Sequence, residues 1–137
     1  MRKGRGMDLL LTNARVAGGD GALVDVAINA GRVAAIAPDS GISADTIDLG
    51  GRLISPGFIE THIHLDKACI LDRCSAKRGD LEEAIGEVSA AKKGFTPEDV
   101  AGRARNVIEK AISHGTTHMR THLEVDPVIG LRGLNGI

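Results

Sequence analysis

Apolar and polar residues alternate in short stretches through residues 7–54, as in LVDVAIN at 23–29. Because successive side chains of a strand point to opposite faces, this pattern predicts short strands with one buried face. Turn-forming clusters separate the stretches, and Asn29-Ala30-Gly31 is typical of a hairpin, since Asn and Gly tolerate a positive φ. We expect a small antiparallel β unit here, either a meander or part of a β-sandwich.

The pattern changes at Ser55-Pro56-Gly57, and residues 55–137 combine strand and helix signals. GFIETHIH at 57–64 and TTHMRTHLEV at 116–125 favour strands because β-branched residues are frequent in both. A polar loop is predicted over residues 65–79.

Two helices are predicted between these strands. The first covers residues 80–93 and is weakened by Gly86. The second covers 97–113, with Thr96 as its N-cap and Pro97 at its first position. Its apolar residues recur at 3.6-residue spacing and form one stripe: Val100, Ala104, Val107, Ile108, Ala111 and Ile112. A strand, helix and strand in this order predict a right-handed crossover between parallel neighbours.

Net charge and aromatic content exclude several kinds of partner. The 137 residues carry 17 Lys and Arg against 18 Asp and Glu, a formal charge of −1. Proteins that bind polyanions need a basic surplus. With two Phe and no Trp or Tyr, the chain has no aromatic platform on which bases could stack. We expect no nucleic-acid partner.

The apolar segments and the cysteines favour a cytoplasmic protein. The run Leu9–Leu11 is shorter than the ~7–15 apolar residues of a signal peptide, and no stretch approaches the ~20 of a membrane span. We expect no membrane partner, and residues 1–6 are predicted to be a disordered tail. Cys69 and Cys74 are expected to be free thiols, because two cysteines neither define a disulfide framework nor complete a zinc site.

A candidate metal site lies in SPGFIETHIHLDK, residues 55–67. His62 and His64 are two residues apart, so on a strand both imidazoles point to the same face. Neutral imidazole is a ligand for Zn²⁺ and for Fe²⁺, and two histidines suit either metal. Spacing alone also allows a pair of hydrogen-bonded core histidines. The pair lies at the carboxyl end of its strand, where the active sites of α/β barrels are found.

Two motifs taken together resemble the amidohydrolase superfamily, in its cytosine deaminase-like branch. SPGFIETHIHLDK resembles the first barrel strand of that branch, and HGTTHMRTHLEVD at 114–126 resembles the second. Residues 7–54, with the lead-in GGRLISPGF, resemble the family's small β-sandwich domain. The resemblance implies an α/β fold: part of a composite β-sandwich in 7–54, then the first strands and helices of a (β/α)8 TIM-type barrel in 55–137.

The resemblance also assigns roles to individual residues. His62 and His64 match the first two metal ligands of the family. Asp66 and Lys67 match residues that shape the loop after the first strand, and Glu60 is expected to orient the histidine pair from behind. His122 ends the second strand, where it contacts substrate or supports the metal site, unless it is a hydrogen-bonded structural histidine.

Three other polar residues of the second motif are assigned structural or surface roles. Arg120 is expected either in an internal ion pair with Glu124 or Asp126 or as a solvated surface charge. His114 and His118 are expected to be structural.

The resemblance implies hydrolysis of a carbon–nitrogen bond by metal-activated water. The substrate would be a small nucleobase-like molecule or a cyclic amide or amine; cytosine, a triazine, a creatinine-like ring and an N-acyl compound all stay open. A barrel takes ~250 residues, so residues 55–137 are enough for two of its eight strands. We expect a truncated chain that binds its metal weakly and does not catalyse alone.

Two other functions stay open. The chain is alternatively a non-catalytic binding or regulatory protein that keeps the start of the fold. It is otherwise one half of a split enzyme whose remaining strands lie on a complementary chain. A homo-oligomer is also compatible with the sequence.

Overall fold

The structure is a computed structural model that describes residues 7–41, 43 and 45–137. The chain divides into two compact units, one ending at Pro56 and the other running from Gly57 to Ile137. The tail predicted at residues 1–6 lies outside the described residues. No helix in the described part of the chain is both long enough and apolar enough to cross a membrane.

The first unit contains one sheet of five short strands. The strands are β1 (Leu9–Val16), β2 (Val24–Asn29), β3 (Arg32–Ala37), β4 (Thr46–Asp48) and β5 (Leu53–Ile54). The order is β3-β2-β1-β4, and β5 also pairs with β1. A second layer that would complete a sandwich is not among the described residues of this unit.

The prediction of an entirely antiparallel unit is wrong. β1, β2 and β3 form an antiparallel meander, but β4 and β5 both pair with β1 in parallel. Because β3 and β4 run in the same direction, the connection between them returns the chain across the sheet, which a simple meander does not do.

The hairpin between β2 and β3 was predicted at the correct residues. Ala30 and Gly31 have φ values of 50° and 71°, and positive φ at both central residues is the type I′ arrangement that matches strand twist. The small core of this unit comes from Leu10 and Ala14 of β1 with Val26 and Ala27 of β2.

The second unit combines two parallel strands with three helices. Its elements are β6 (Phe58–Ile63), α1 (Leu81–Lys92), α2 (Pro97–Ser113), β7 (Thr116–Thr121) and α3 (Arg132–Gly136). β6 and β7 pair in parallel and α2 is the crossover, so the predicted strand–helix–strand unit is confirmed. The entry to β6 packs tightly, because a Cβ added to Gly57 would lie 2.2 Å from Cγ2 of Thr117.

Two details of the second unit differ from the sequence prediction. The loop after β6 contains two 3₁₀ turns, Leu65–Lys67 and Leu71–Arg73. β7 ends at Thr121 rather than at residue 125, because after the bond from the His122 N–H to β6 the backbone and side chain of Glu124 bond to the turn after β6. The core contains Ile70, Phe95, Val100 and Ile129.

Candidate metal centre

Three imidazoles meet at the carboxyl ends of β6 and β7. His62 is in β6, His64 directly follows it, and His122 directly follows β7. Their ring centroids are 4.3 Å apart for His62 and His122, 5.5 Å for His64 and His122, and 5.6 Å for His62 and His64. The strand ends are joined by a hydrogen bond of 2.7 Å from the His122 N–H to the Ile63 carbonyl. We call these three residues the histidine cluster.

The spacing of the histidine cluster suits a shared metal ion. Imidazoles that ligate one ion at ~2.1 Å in a tetrahedral arrangement have ring centroids about 5 Å apart. Within the described ranges, however, no group of three His, Cys, Asp or Glu side chains is already arranged to hold a metal ion. The rings are therefore neighbouring candidate ligands whose donor atoms do not yet converge on one point.

A buried carboxylate lies behind His64. Asp66 is 1% exposed, and its Oδ1 has no hydrogen-bond partner among the described residues. The Nδ1 of His64 is also buried and also lacks a partner there. These two atoms face each other across 3.8 Å, slightly beyond hydrogen-bond distance. The other carboxylate oxygen, Oδ2, accepts the backbone N–H of Glu124 at 2.9 Å.

The surroundings of His64 favour its neutral form. Burial, followed by the positive charge of Lys67, lowers the pKa of His64 below its usual value. Asp66 and Glu124 oppose this effect with their negative charges. A neutral ring is the form that can ligate a metal, because ligating nitrogen needs a free lone pair.

The loops beside the histidine cluster are held together by ion pairs. Glu124 accepts hydrogen bonds from Lys67 and, at 2.5 Å, from Lys92. Lys92 also binds Asp126 at 2.8 Å. The hydrogen bonds that Lys92 donates to Asp126 and Glu124 raise the pKa of Lys92, and the bond from Lys92 lowers the pKa of Asp126 to about 2. Lys67 thus joins the turn after β6 to the segment after β7, and Lys92 joins α1 to that same segment.

A buried arginine fixes the 3₁₀ turn that carries Asp66. Arg103 of α2 is 6% exposed and donates to the carbonyls of Asp66 (3.0 Å) and Ala68 (2.6 Å). Its charge is balanced by Asp99, one turn earlier in the helix, at 3.0 Å. Its guanidinium also lies 4.4 Å from the ring centroid of Phe95. The turn after β6 is therefore attached to α2 by polar contacts.

The remaining residues named from the sequence make different contacts. Glu60 is half-buried and its carboxylate accepts the backbone N–H of His62 at 2.8 Å, so it contacts the strand and not an imidazole ring. Arg120 is exposed, which agrees with the surface-charge alternative and not with the ion pair, since Lys67 and Lys92 bind the carboxylates of Glu124 and Asp126.

The two histidines expected to be structural lie outside the histidine cluster. His114 caps α2, and its Nδ1 lies 2.7 Å from the Lys110 carbonyl. His118 is exposed, with Nδ1 3.1 Å from the hydroxyl of Thr117.

Sequence reasoning missed Lys92 and Arg103, which hold the loops of the site. Each lies on a helix that the sequence predicted, at a position where a charged residue usually faces solvent. Their partners are 32 and 37 residues away in the chain. The available signal was the acidic pair Glu124 and Asp126, which requires basic partners once the segment is partly buried.

Known proteins are similar to this chain in sequence and in the arrangement of strands. Residues 45–136 match the profile of the amidohydrolase family. The chain is 32% identical over 139 residues to N-isopropylammelide isopropyl amidohydrolase of Pseudomonas sp. (strain ADP). The aligned region covers 95% of this chain and 34% of that protein.

Two solved structures superpose on 93% of the chain. The 5-methylcytosine deaminase from Klebsiella pneumoniae liganded with 5-fluorocytosine has a TM-score of 0.78 and 33% identity, and 31% of it is covered. N-isopropylammelide isopropylaminohydrolase from Burkholderia multivorans has a TM-score of 0.63 and 26% identity, and 32% of it is covered. The chain spans about a third of the length of these relatives. The resemblance to the cytosine deaminase-like branch is confirmed, and the chain belongs to the amidohydrolase family.

Proposed function

We propose that this chain supplies the first metal ligands of a hydrolase that cleaves carbon–nitrogen bonds. The observation that carries the proposal is the histidine cluster, in which residues of two adjacent parallel strands meet within 5.6 Å. His62 and His64 are the ligands, and His122 contacts substrate or supports the metal from the neighbouring strand. Family membership and the names of the relatives, two amidohydrolases and a deaminase, support this reaction class.

The fold proposal follows from the same strands. We assign β6, α2 and β7 to the first part of a (β/α)8 barrel, and residues 7–54 to part of a small β domain. A parallel strand pair with its helix crossover is the repeating element of such a barrel. The carboxyl ends of the strands are the face where barrel enzymes place their chemistry.

A divalent ion, Zn²⁺ or Fe²⁺, fits the donors that this chain presents. Nitrogen ligands suit both ions, and the buried carboxylate behind His64 is the kind of neighbour that supports a ligating imidazole. When bound, such an ion supplies the Lewis acidity that activates water for hydrolysis. The chain's own residues keep His64 neutral by burial and hold the two strand ends together.

Residues around the histidine cluster have positioning roles in this proposal. Glu60 fixes the backbone of His62 through its N–H. Lys67 and Glu124 form an ion pair that ties the turn after β6 to the segment after β7. This pair therefore joins the two segments that flank the histidine cluster.

We propose a small nitrogen-containing ring, nucleobase-like or a cyclic amide or amine, as the substrate. One similar structure holds 5-fluorocytosine and belongs to a 5-methylcytosine deaminase. Two other relatives are named for N-isopropylammelide. An exocyclic amine on a small ring is the feature that the proposal requires.

Amine release from a panel of amino-substituted pyrimidine and triazine rings tests the reaction. Release that depends on added Zn²⁺ or Fe²⁺ and disappears in the double variant His62→Ala, His64→Ala would support the hydrolase. The matched control is His114→Ala, His118→Ala, which removes two imidazoles outside the cluster. Release unchanged by the first double variant would contradict the proposal. Metal binding without release from any ring would favour the binding protein or the split enzyme.

A further inference from the structure

A donor and an acceptor face each other behind the histidine cluster without other partners. His64 Nδ1 and Asp66 Oδ1 are both buried, and neither has a hydrogen-bond partner in the described part of the chain. A buried polar atom left unpaired costs about 1–3 kcal/mol. The 3.8 Å between these two atoms is only slightly longer than a hydrogen bond. Each atom is therefore the available partner of the other.

We propose that Asp66 is a positioning residue whose carboxylate accepts a hydrogen bond from the Nδ1–H of His64 and thereby fixes the ring tautomer. A neutral imidazole carries one proton, so a proton held on Nδ1 leaves the lone pair of Nε2 free. Nε2, which does not face the carboxylate, is then the nitrogen left to ligate an ion. The inference rests on the proposed metal-binding function and names the residue that prepares one ligand for it.

The carboxylate is held so that only Oδ1 is available to the ring. Its Oδ2 accepts the Glu124 backbone N–H at 2.9 Å, and the Asp66 carbonyl accepts a hydrogen bond from buried Arg103 at 3.0 Å. The first contact engages the carboxylate itself, and the second fixes the backbone that carries it, so a turn of the carboxylate that moved Oδ2 away would break the bond to Glu124. A fixed acceptor in this position selects the tautomer before any ion binds.

The substitution Asp66→Asn reverses the expected tautomer with a nearly isosteric side chain. The Glu124 N–H needs an acceptor, so the amide oxygen of Asn takes the place of Oδ2 and the NH₂ group faces His64. An NH₂ group donates, so it favours a ring whose Nδ1 is unprotonated and whose Nε2 carries the proton. The lone pair of Nε2 is then no longer available to a metal.

Two-bond ¹H–¹⁵N correlation spectra of the apoprotein test the tautomer directly. Spectra are recorded near pH 8, about 1.5 units above the usual imidazole pKa, and the His64 signals are assigned by their loss in His64→Ala. We expect the Nδ1–H form in the wild type and the Nε2–H form in Asp66→Asn. The matched control is Lys67→Met, which changes the next residue and the ion pair with Glu124 but leaves the carboxylate; it should keep the wild-type tautomer.

Zn²⁺ titration of the same three proteins provides the second measurement. We expect Asp66→Asn to weaken binding roughly 10–100-fold, as loss of a group that supports a metal ligand does, and Lys67→Met to weaken it by less. An Nε2–H tautomer in the wild type would overturn the inference, whether or not the Asn variant folds. A wild-type Nδ1–H form together with no Zn²⁺ binding would leave the Asp66–His64 contact standing and overturn the proposed function instead.

Discussion

The two units of the chain bury different kinds of side chain. In the unit ending at Pro56, the buried residues among those described are aliphatic: Leu10, Ala14, Val26 and Ala27. The unit from Gly57 to Ile137 buries a fully enclosed Phe95 and, in addition, three charged residues: Asp66, Lys92 and Arg103. Burying a charge costs several kcal/mol unless partners replace its hydration. Folding of the second unit therefore includes a desolvation cost for buried charges, which the described residues of the first unit do not require.

All three buried charges contact the segments that follow β6 and β7. Asp66 lies in the first of these segments and accepts a hydrogen bond from the backbone N–H of Glu124 in the second. Lys92 binds the second segment, and Arg103 binds the first. Buried charge in this protein is thus concentrated beside the histidine cluster, where it fixes two loops, whereas ordinary apolar packing stabilises the sheet of the first unit.

The largest loss of stability is expected from Phe95→Ala in the second unit. Phe95 is 0% exposed, and removal of a buried aromatic ring costs about 3–5 kcal/mol. Leu10→Ala in the first unit, at 4% exposure, is expected to cost about 2–3 kcal/mol, at the lower end for such truncations. Hydrogen exchange of the amides in each variant's own unit measures both values. A larger loss from Leu10→Ala would reverse the comparison of the two cores.

Two lysines bind Glu124 but differ in burial, so substituting each one compares a buried ion pair with a more exposed one. The Lys92 side chain is 10% exposed and that of Lys67 is 24% exposed. Lys92→Met leaves Glu124 and Asp126 without their shared partner and is expected to cost about 2 kcal/mol, below the full value for a buried pair because both carboxylates reach solvent. Lys67→Met is expected to cost about 0–1 kcal/mol. Urea unfolding compares them, and equal effects would show that burial does not decide the strength of these pairs.

The last effect is expected only in acid, at Asp99. Hydrogen bonds from Arg73, and then from Arg103, lower the pKa of Asp99 from 3.8 to about 2. A carboxylate with a lowered pKa in the folded state stabilises the fold above its unfolded-state pKa, so its contribution is complete above about pH 5 and is lost as pH falls toward 2. Unfolding measured across this range should depend less on pH in Asp99→Asn than in the wild type. Identical pH dependence would contradict the pairing with Arg73.

Elements with strong local signals were predictable from the sequence. The helix at 97–113 was found at those residues because Thr96 and Pro97 fix its start and an apolar stripe defines its face. The shared direction of His62 and His64 followed from strand alternation, and the approach of His122 followed from placing two parallel strands side by side.

Contacts set by tertiary structure were not predictable. β4 and β5 contain three and two residues, too few for a pattern that distinguishes parallel from antiparallel pairing. The burial of Asp66 and Arg103 depends on a contact between residues 37 positions apart, and no local feature of α2 identifies which of its charged residues turns inward. The site residues that lie within the two motifs were found, and the helix residues Lys92 and Arg103, which hold the adjoining loops, were not.

Calorimetric titration with Zn²⁺ tests the role of the histidine cluster most directly. The proteins compared are the wild type, His62→Ala with His64→Ala, and the control His114→Ala with His118→Ala. We expect one weak site in the wild type and in the control, no such site in the cluster variant, and loss of binding as pH falls below the usual imidazole value of ~6.5. Equal binding by the wild type and the cluster variant would contradict the assignment of His62 and His64 as metal ligands.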